Sequence, residues 1–215
     1  MPVTEPVVLV HGLWMHGALM QWMARRIRHA GFLTHCYTYP SVRWTMSKNA
    51  RRLAAFAQSL GAKRVRFVGH SLGGLLIARM LEEAHGFEPG RIVFMGSPFA
   101  DSHAARVLSR MRVGRAAVGA AMAEWLLGNR PDNLSRYEIG VIAGSRAMGL
   151  GMIVARGLPQ PHDGTITVAE TKVPGAREHM VLNVSHTEMV ISPLTARYAS
   201  EFLRHGRFPR SDDRE

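Results

Sequence analysis

Val65-Arg66-Phe67-Val68-Gly69-His70-Ser71-Leu72-Gly73-Gly74-Leu75-Leu76 reads as an apolar strand, a tight turn and the start of a helix. Its centre, Gly69-His70-Ser71-Leu72-Gly73, has the G-x-S-x-G spacing that sets a serine on a sharp strand-to-helix turn. Such a turn pushes the serine oxygen out beyond the sheet edge. Residues two before and two after it are expected to crowd together, so both must be small. The helix that follows turns its positive N-terminal end toward any oxyanion formed at the serine. The same glycines lack the G-x-G-x-x-G spacing of a dinucleotide site.

Working outward, short apolar runs alternate with helical patterns along the whole chain. Strands are expected at Pro6–Val10, Phe32–Tyr39, Arg64–Gly69, Arg91–Gly96, Glu138–Ala143 and His179–Val184. Cores such as Val7-Val8-Leu9-Val10 and Ile92-Val93-Phe94-Met95 are continuously apolar, as central parallel strands covered on both faces must be. Helical stripes fill the gaps: Met20, Met23 and Ile27, then Leu53, Ala54, Phe56, Ala57 and Leu60, then Leu75–Ala84 directly after the third strand. The last helix is expected to start at Ser192-Pro193 and end near Gly206. The predicted fold class is α/β: a three-layer α/β/α sandwich on a mostly parallel sheet of about six strands. Residues 1–206 read as one domain, and 207–215 as a polar tail.

The chain has 215 residues, a length suited to one domain with a substantial core. Its 47% hydrophobic and 20% charged content is that of an ordered globular protein. The net charge is +11, yet Arg25-Arg26-Arg28, Arg51-Arg52 and Lys63-Arg64-Arg66 are scattered short groups. They read as solvated helix faces, with attraction to an anionic membrane surface or acidic partner as the other reading. No nucleic-acid-binding motif accompanies them. A lone Cys36 cannot form an internal disulfide, and it reads as an inert thiol of a reducing compartment. The N-terminus lacks the pattern of a signal peptide, and no apolar run reaches the roughly 18 residues of a membrane span. A cytoplasmic location is the expectation. No cluster of metal-ligand side chains calls for a metal, and no cofactor is expected.

Taken together, Gly69-His70-Ser71-Leu72-Gly73-Gly74, the strand Val7–Val10 with His11-Gly12-Leu13-Trp14, and Met95-Gly96-Ser97-Pro98-Phe99-Ala100-Asp101-Ser102 resemble the α/β-hydrolase family. The likeness is to its small bacterial esterases and lipases, in their minimal form, and the motifs occur in the family's order along nearly the whole chain. That resemblance implies that Ser71 is a nucleophile. It also implies an oxyanion hole formed by the amides of Leu72 and Leu13. The family's order of serine, acid and histidine rules out His11 as base, leaving it to fix its loop. His186, at the end of the last strand in Leu182-Asn183-Val184-Ser185-His186-Thr187, matches the catalytic histidine; His70, His179 and His205 compete with it less well. Between Ser71 and His186, Asp163 in His162-Asp163-Gly164-Thr165-Ile166-Thr167-Val168 looks like the acid loop of small lipases, with Glu138 and Asp101 as rivals. Glu82 and Glu83 read as an exposed helix side, and Glu88 and Asp132 as turn residues.

The substrate side is less sharply drawn. Residues 102–131 carry a helical stripe of Val118, Met122, Trp125 and Leu126, with alanines on the opposite face. A helix apolar on most sides must be buried or must cover something apolar, so this is either a packed crossover or a lid over an acyl pocket. Trp14, Met122, Trp125, Met148 and Met152 are expected pocket residues, since thioethers suit a tolerant apolar site; filling the core is their other reading. The resemblance implies a hydrolase acting on a small acyl ester. Thioesterase, amidase or acyltransferase activity remains open with the same triad, as does a non-catalytic binding protein of this fold.

Overall fold

Each of the six expected strands forms, and all pair in parallel. The computed structural model describes residues 5–83, 85–110, 112–148 and 157–210. In chain order these form β1 (Val7–Val10), α1 (Gln21–His29), β2 (Thr34–Tyr37), α2 (Met46–Ser59), β3 (Arg64–His70), α3 (Leu72–Met80) and β4 (Glu88–Met95). There follow α4 (His103–Arg110), α5 (Arg112–Leu127), β5 (Ile139–Gly144), β6 (Glu178–Leu182), α6 (Glu188–Ile191) and α7 (Pro193–His205). The sheet order is β2-β1-β3-β4-β5-β6.

Side chains of successive strand residues point to opposite faces, and this divides the core in two. Val8, Val10, Phe67, Ile92, Phe94, Ile139 and Val141 pack under α2, α3 and α5. Val7, Leu9, Val68, Val93, Met95 and Ile142 pack under α1, α6 and α7. Both faces are thus covered, which explains why β1 and β5 are buried along their whole length. From β1 the chain steps outward to β2, then crosses back to place β3 on the other side. Between β1 and β3 lies the point where strand order reverses, the crevice in which open α/β sheets place ligands.

Several boundaries differ from expectation. β4 begins at Glu88 rather than Arg91, because Arg64 and Val65 of β3 pair with Glu88 and Pro89 across a register shift. Glu88 is therefore a strand residue ion-paired to Arg64, and not a turn. α3 starts at Leu72 and ends at Met80, so Glu82 and Glu83 lie beyond it. Phe208, expected in a polar tail, is buried against Phe202 at a 5.0 Å ring separation. Residues 211–215 lie outside the described residues. The last helix keeps its expected ends: Ser192 Oγ caps the Thr195 amide, Pro193 follows, and Gly206 closes it.

Residues 102–131 hold α4 and α5, and α5 is itself two helical pieces. At Gly119 (φ 74°) α5 breaks, and the backbone passes so close to Val42 that a Cβ there would lie 2.8 Å from the Val42 Cα. Beyond the break α5 is anchored. Ala120 donates to the Val42 carbonyl, and Glu124 accepts from the amide and hydroxyl of Ser47 at the start of α2.

Candidate active site

At the end of β3 the chain turns at Ser71 with φ 53° and ψ −122°, a conformation non-glycine residues adopt at a cost of about 1–3 kcal/mol. The surrounding structure holds it there: the Ser71 amide donates to the Met95 carbonyl of β4 at 2.9 Å, and the Gly74 amide to the Ser71 carbonyl at 3.1 Å. The flanking glycines are required, but not because they crowd each other. A Cβ on Gly69 would lie 2.5 Å from the Gly74 nitrogen, and one on Gly73 would collide with the carbonyls of Val10 and His11. Gly73 therefore lets the first turn of α3 press on the end of β1. This brings the β1 loop to the serine: a Cβ on Gly12 would be 3.1 Å from the Ser71 Cβ.

That loop is fixed by His11, which is buried and neutral. Its Nδ1–H donates to the Gly12 carbonyl (2.8 Å), its Nε2 accepts from the Tyr39 amide (3.3 Å), and Tyr39 OH donates to its carbonyl (2.9 Å). The two rings stack at 4.4 Å. Burial lowers the His11 pKa, more than its hydrogen bond to Gly12 raises it. Leu13 follows in a tight turn closed by the Met15 amide on the Gly12 carbonyl. Leu72 opens α3, where the first amides have no partner within the helix. Trp14, with φ 57°, is exposed.

The histidine and acid come from the other side of β4. His186 follows β6, and its ring lies against Gly96, where a Cβ would be 3.1 Å from its Nδ1. Ser71 and His186 thus flank the same strand end, Met95–Gly96. The His186 Nδ1 is 2.7 Å from Asp163 Oδ2, and the His186 amide donates to the Asp163 carbonyl at 2.9 Å. A carboxylate accepts, so Nδ1 carries the proton and Nε2 is left with a lone pair. The second oxygen of Asp163 accepts from the amides of Thr165 (2.9 Å) and Ile166 (2.7 Å). Burial pushes this fully buried carboxyl up, but His186 and the two amide donors outweigh it and hold its pKa below the ordinary value.

Glu170 and His70 have parts that the sequence did not disclose. Glu170 accepts from Thr167 on one oxygen and from the His103 amide on the other, tying the acid loop to the start of α4. His70 sits beside His186 and its Nε2 is 2.9 Å from the His186 carbonyl. Burial, then the neighbouring His186, drives its pKa down to about 3. Of the rivals for the acid, Asp101 pairs with Arg106, and Glu138 with Arg91 and Arg177.

The expected pocket residues separate. Trp125 and Met122 belong to the core rather than to an open pocket. The Trp125 ring meets Phe99 edge-on at 5.5 Å, with the guanidinium groups of Arg79 and Arg130 over it. Met148 is exposed, and Met152 lies outside the described residues.

Among solved structures, the chain resembles lipase BlEst2 of Bacillus licheniformis in its mature form. The TM-score is 0.74 at 20% identity, over 97% of this chain and 94% of that one. It also resembles a monoacylglycerol lipase of Paleococcus ferrophilus (TM-score 0.61, 16% identity, 94% of each chain). Carboxylesterase CesB of Bacillus subtilis aligns with a TM-score of 0.58 at 16% identity, over 96% of this chain and 85% of that one. At these identities the likeness is one of fold. No curated protein sequence matches the chain. The profile of the Alpha/beta hydrolase family, however, matches residues 7–209, nearly the whole of the described fold. With the sheet order, the strained serine after β3 and the histidine after β6, that match makes the chain a member of the alpha/beta hydrolase family.

Proposed function

We propose that the chain is a serine carboxylic-ester hydrolase acting on a small apolar acyl ester through Ser71, His186 and Asp163. The 2.7 Å contact of the His186 Nδ1 with a buried Asp163 carboxylate carries this reading, because it turns the basic Nε2 away from the acid. The Ser71 hydroxyl gives its proton to Nε2 as its oxygen attacks the ester carbonyl. The Leu13 and Leu72 amides receive the oxyanion, and Asp163 stabilises the imidazolium. Collapse expels the alcohol, which takes the proton from Nε2. Water then attacks the acyl-enzyme, with His186 again as base, and releases the carboxylic acid and free Ser71. Trp14 and Met148, both exposed, are the expected substrate contacts.

Ser71→Ala should lower hydrolysis of short p-nitrophenyl esters by on the order of 10⁵-fold. An unchanged rate overturns the reading. Thioesters and amides meet the same machinery, so rates on matched ester, thioester and amide substrates of graded acyl length rank the classes. A non-catalytic protein of this fold would leave Ser71 unlabelled by a fluorophosphonate.

A second reading places the ester in an anionic lipid aggregate. Trp14, Leu19, Trp22, Ile191 and Leu194 are exposed apolar side chains near the ends of β1, α1 and α7. Beside them a groove of about 360 Å³ between α1 and α7 presents Arg26, His29 and Arg197 together with one acid, Glu201. This reading predicts a jump in rate above the substrate's critical aggregation concentration that high salt removes. Among the described residues no helix is long and apolar enough to cross a membrane.

A further inference from the structure

We propose that His70 is a positioning residue that holds the backbone of His186 in register with the nucleophile's turn; this rests on the reading of Ser71 and His186 given above. The His70 Nε2 lies 2.9 Å from the His186 carbonyl oxygen. That oxygen can only accept, so Nε2 carries the proton and donates it. The other nitrogen, Nδ1, is then a bare acceptor, buried and without a partner among the described residues. It faces the β1 loop, where a Cβ on Gly12 would be 3.2 Å away. The two imidazole rings meet at 4.8 Å, tilted by 47°.

His186 is therefore held at three atoms. Its amide and its Nδ1 are both held by Asp163, which fixes the residue relative to the acid loop alone. The third, its carbonyl, is held by the elbow. His70 ends β3 and immediately precedes Ser71, whereas His186 follows β6, two strands beyond β4. The acid can rotate and polarise His186, but it cannot set the distance from imidazole to serine. A donor carried on the residue beside Ser71 can, because any displacement of the serine's turn carries the histidine's backbone with it. Burial keeps His70 neutral through the working pH range, so the donor stays in one tautomer while His186 gains and loses its proton.

The test compares wild type, His70→Leu and His70→Gln in the full chain, using a short soluble ester and a fluorophosphonate as probes. Leucine fills the volume without a donor, while the glutamine amide places an N–H near the position of Nε2. For His70→Leu, kcat and the labelling rate of Ser71 should fall by roughly 10- to 100-fold, the scale of a displacement of about 1 Å, with KM within about twofold. His70→Gln should recover most of that loss. Melting temperatures of both variants separate misfolding from misplacement. If folded His70→Leu labels at the wild-type rate, or if folded His70→Gln is as slow as His70→Leu, the hydrogen bond does not position the base and the inference falls. If instead the wild type is neither active nor labelled at Ser71, the functional reading falls, and this inference with it.

Discussion

The two ends of the same six strands are built on opposite principles. At the C-terminal edge, beside Ser71, the buried His70 and Asp163 hold the partly buried His186 through hydrogen bonds of 2.9 and 2.7 Å. At the N-terminal edge two groups of ion pairs, Glu88–Arg64–Glu5–Arg66 and Arg91–Glu138–Arg177, flank an open polar cleft of about 360 Å³. Arg66 and Glu5 pair at 2.6 Å, and Arg91 and Glu138 at 2.9 Å, yet all remain partly exposed. Buried contacts are few and not interchangeable, while solvated pairs are many and individually weak. Closeness of two polar groups thus says little of consequence until their burial is added.

The sharpest way to break this contrast is Asp163→Asn. The amide would favour the wrong His186 tautomer, and kcat should fall by about 10⁴-fold with the fold intact. A loss below tenfold would mean that the buried acid does not orient His186. Next comes Gly73→Ala, which forces α3 away from the Val10 and His11 carbonyls. Activity should drop by about 100-fold, and stability by about 1–3 kcal/mol, measured by ester turnover and urea unfolding.

Acid should also tell the edges apart. His70, His11 and Asp163 all have pKa values lowered by the fold, so the unfolded chain binds more protons than the native one as pH falls. Their contribution is fully present above about pH 6.5, the unfolded histidine value. It should decline for His70 until about pH 3, with Asp163 joining below the ordinary carboxyl value of about 3.9. Thermal melts from pH 7 to pH 4 should show this fall, and His70→Gln should flatten it. The smallest effect belongs to Glu138→Gln at the other edge. It should change turnover by less than twofold and stability by about 1 kcal/mol or less.

Much of the fold was legible because it depends on local pattern. Continuous apolar runs marked the strands, and Ser192-Pro193 marked the last helix. What escaped depends on partners distant in the chain. Glu88-Pro89-Gly90 has the composition of a turn, and only pairing with Arg64 and Val65 makes it strand. Trp125 and Met122 could be read either as pocket or as core, since nothing in their helix foretells the two arginines and Phe99 packed around the indole. At the site, the elbow spacing marked Ser71, while His186 and Asp163 stood out through the resemblance to the family and its order of serine, acid and histidine. His70 and Glu170 did not, because each bonds to main chain, and a carbonyl or amide leaves no signature in sequence. The role of Gly73 was hidden likewise: its neighbour is the backbone of β1.

The position of β6 at the margin of the sheet bears on how the protein comes into being. Ser71 precedes His186 in the chain by more than half of the fold, and His186 reaches the site through β6, an edge strand paired only with β5. A chain ended before Glu178 would hold Ser71 without His186, which on the proposed mechanism is a nucleophile without its base. On the proposed mechanism, turnover would therefore gauge assembly: the pairing of β6 with β5 has to be complete before His186 can serve Ser71.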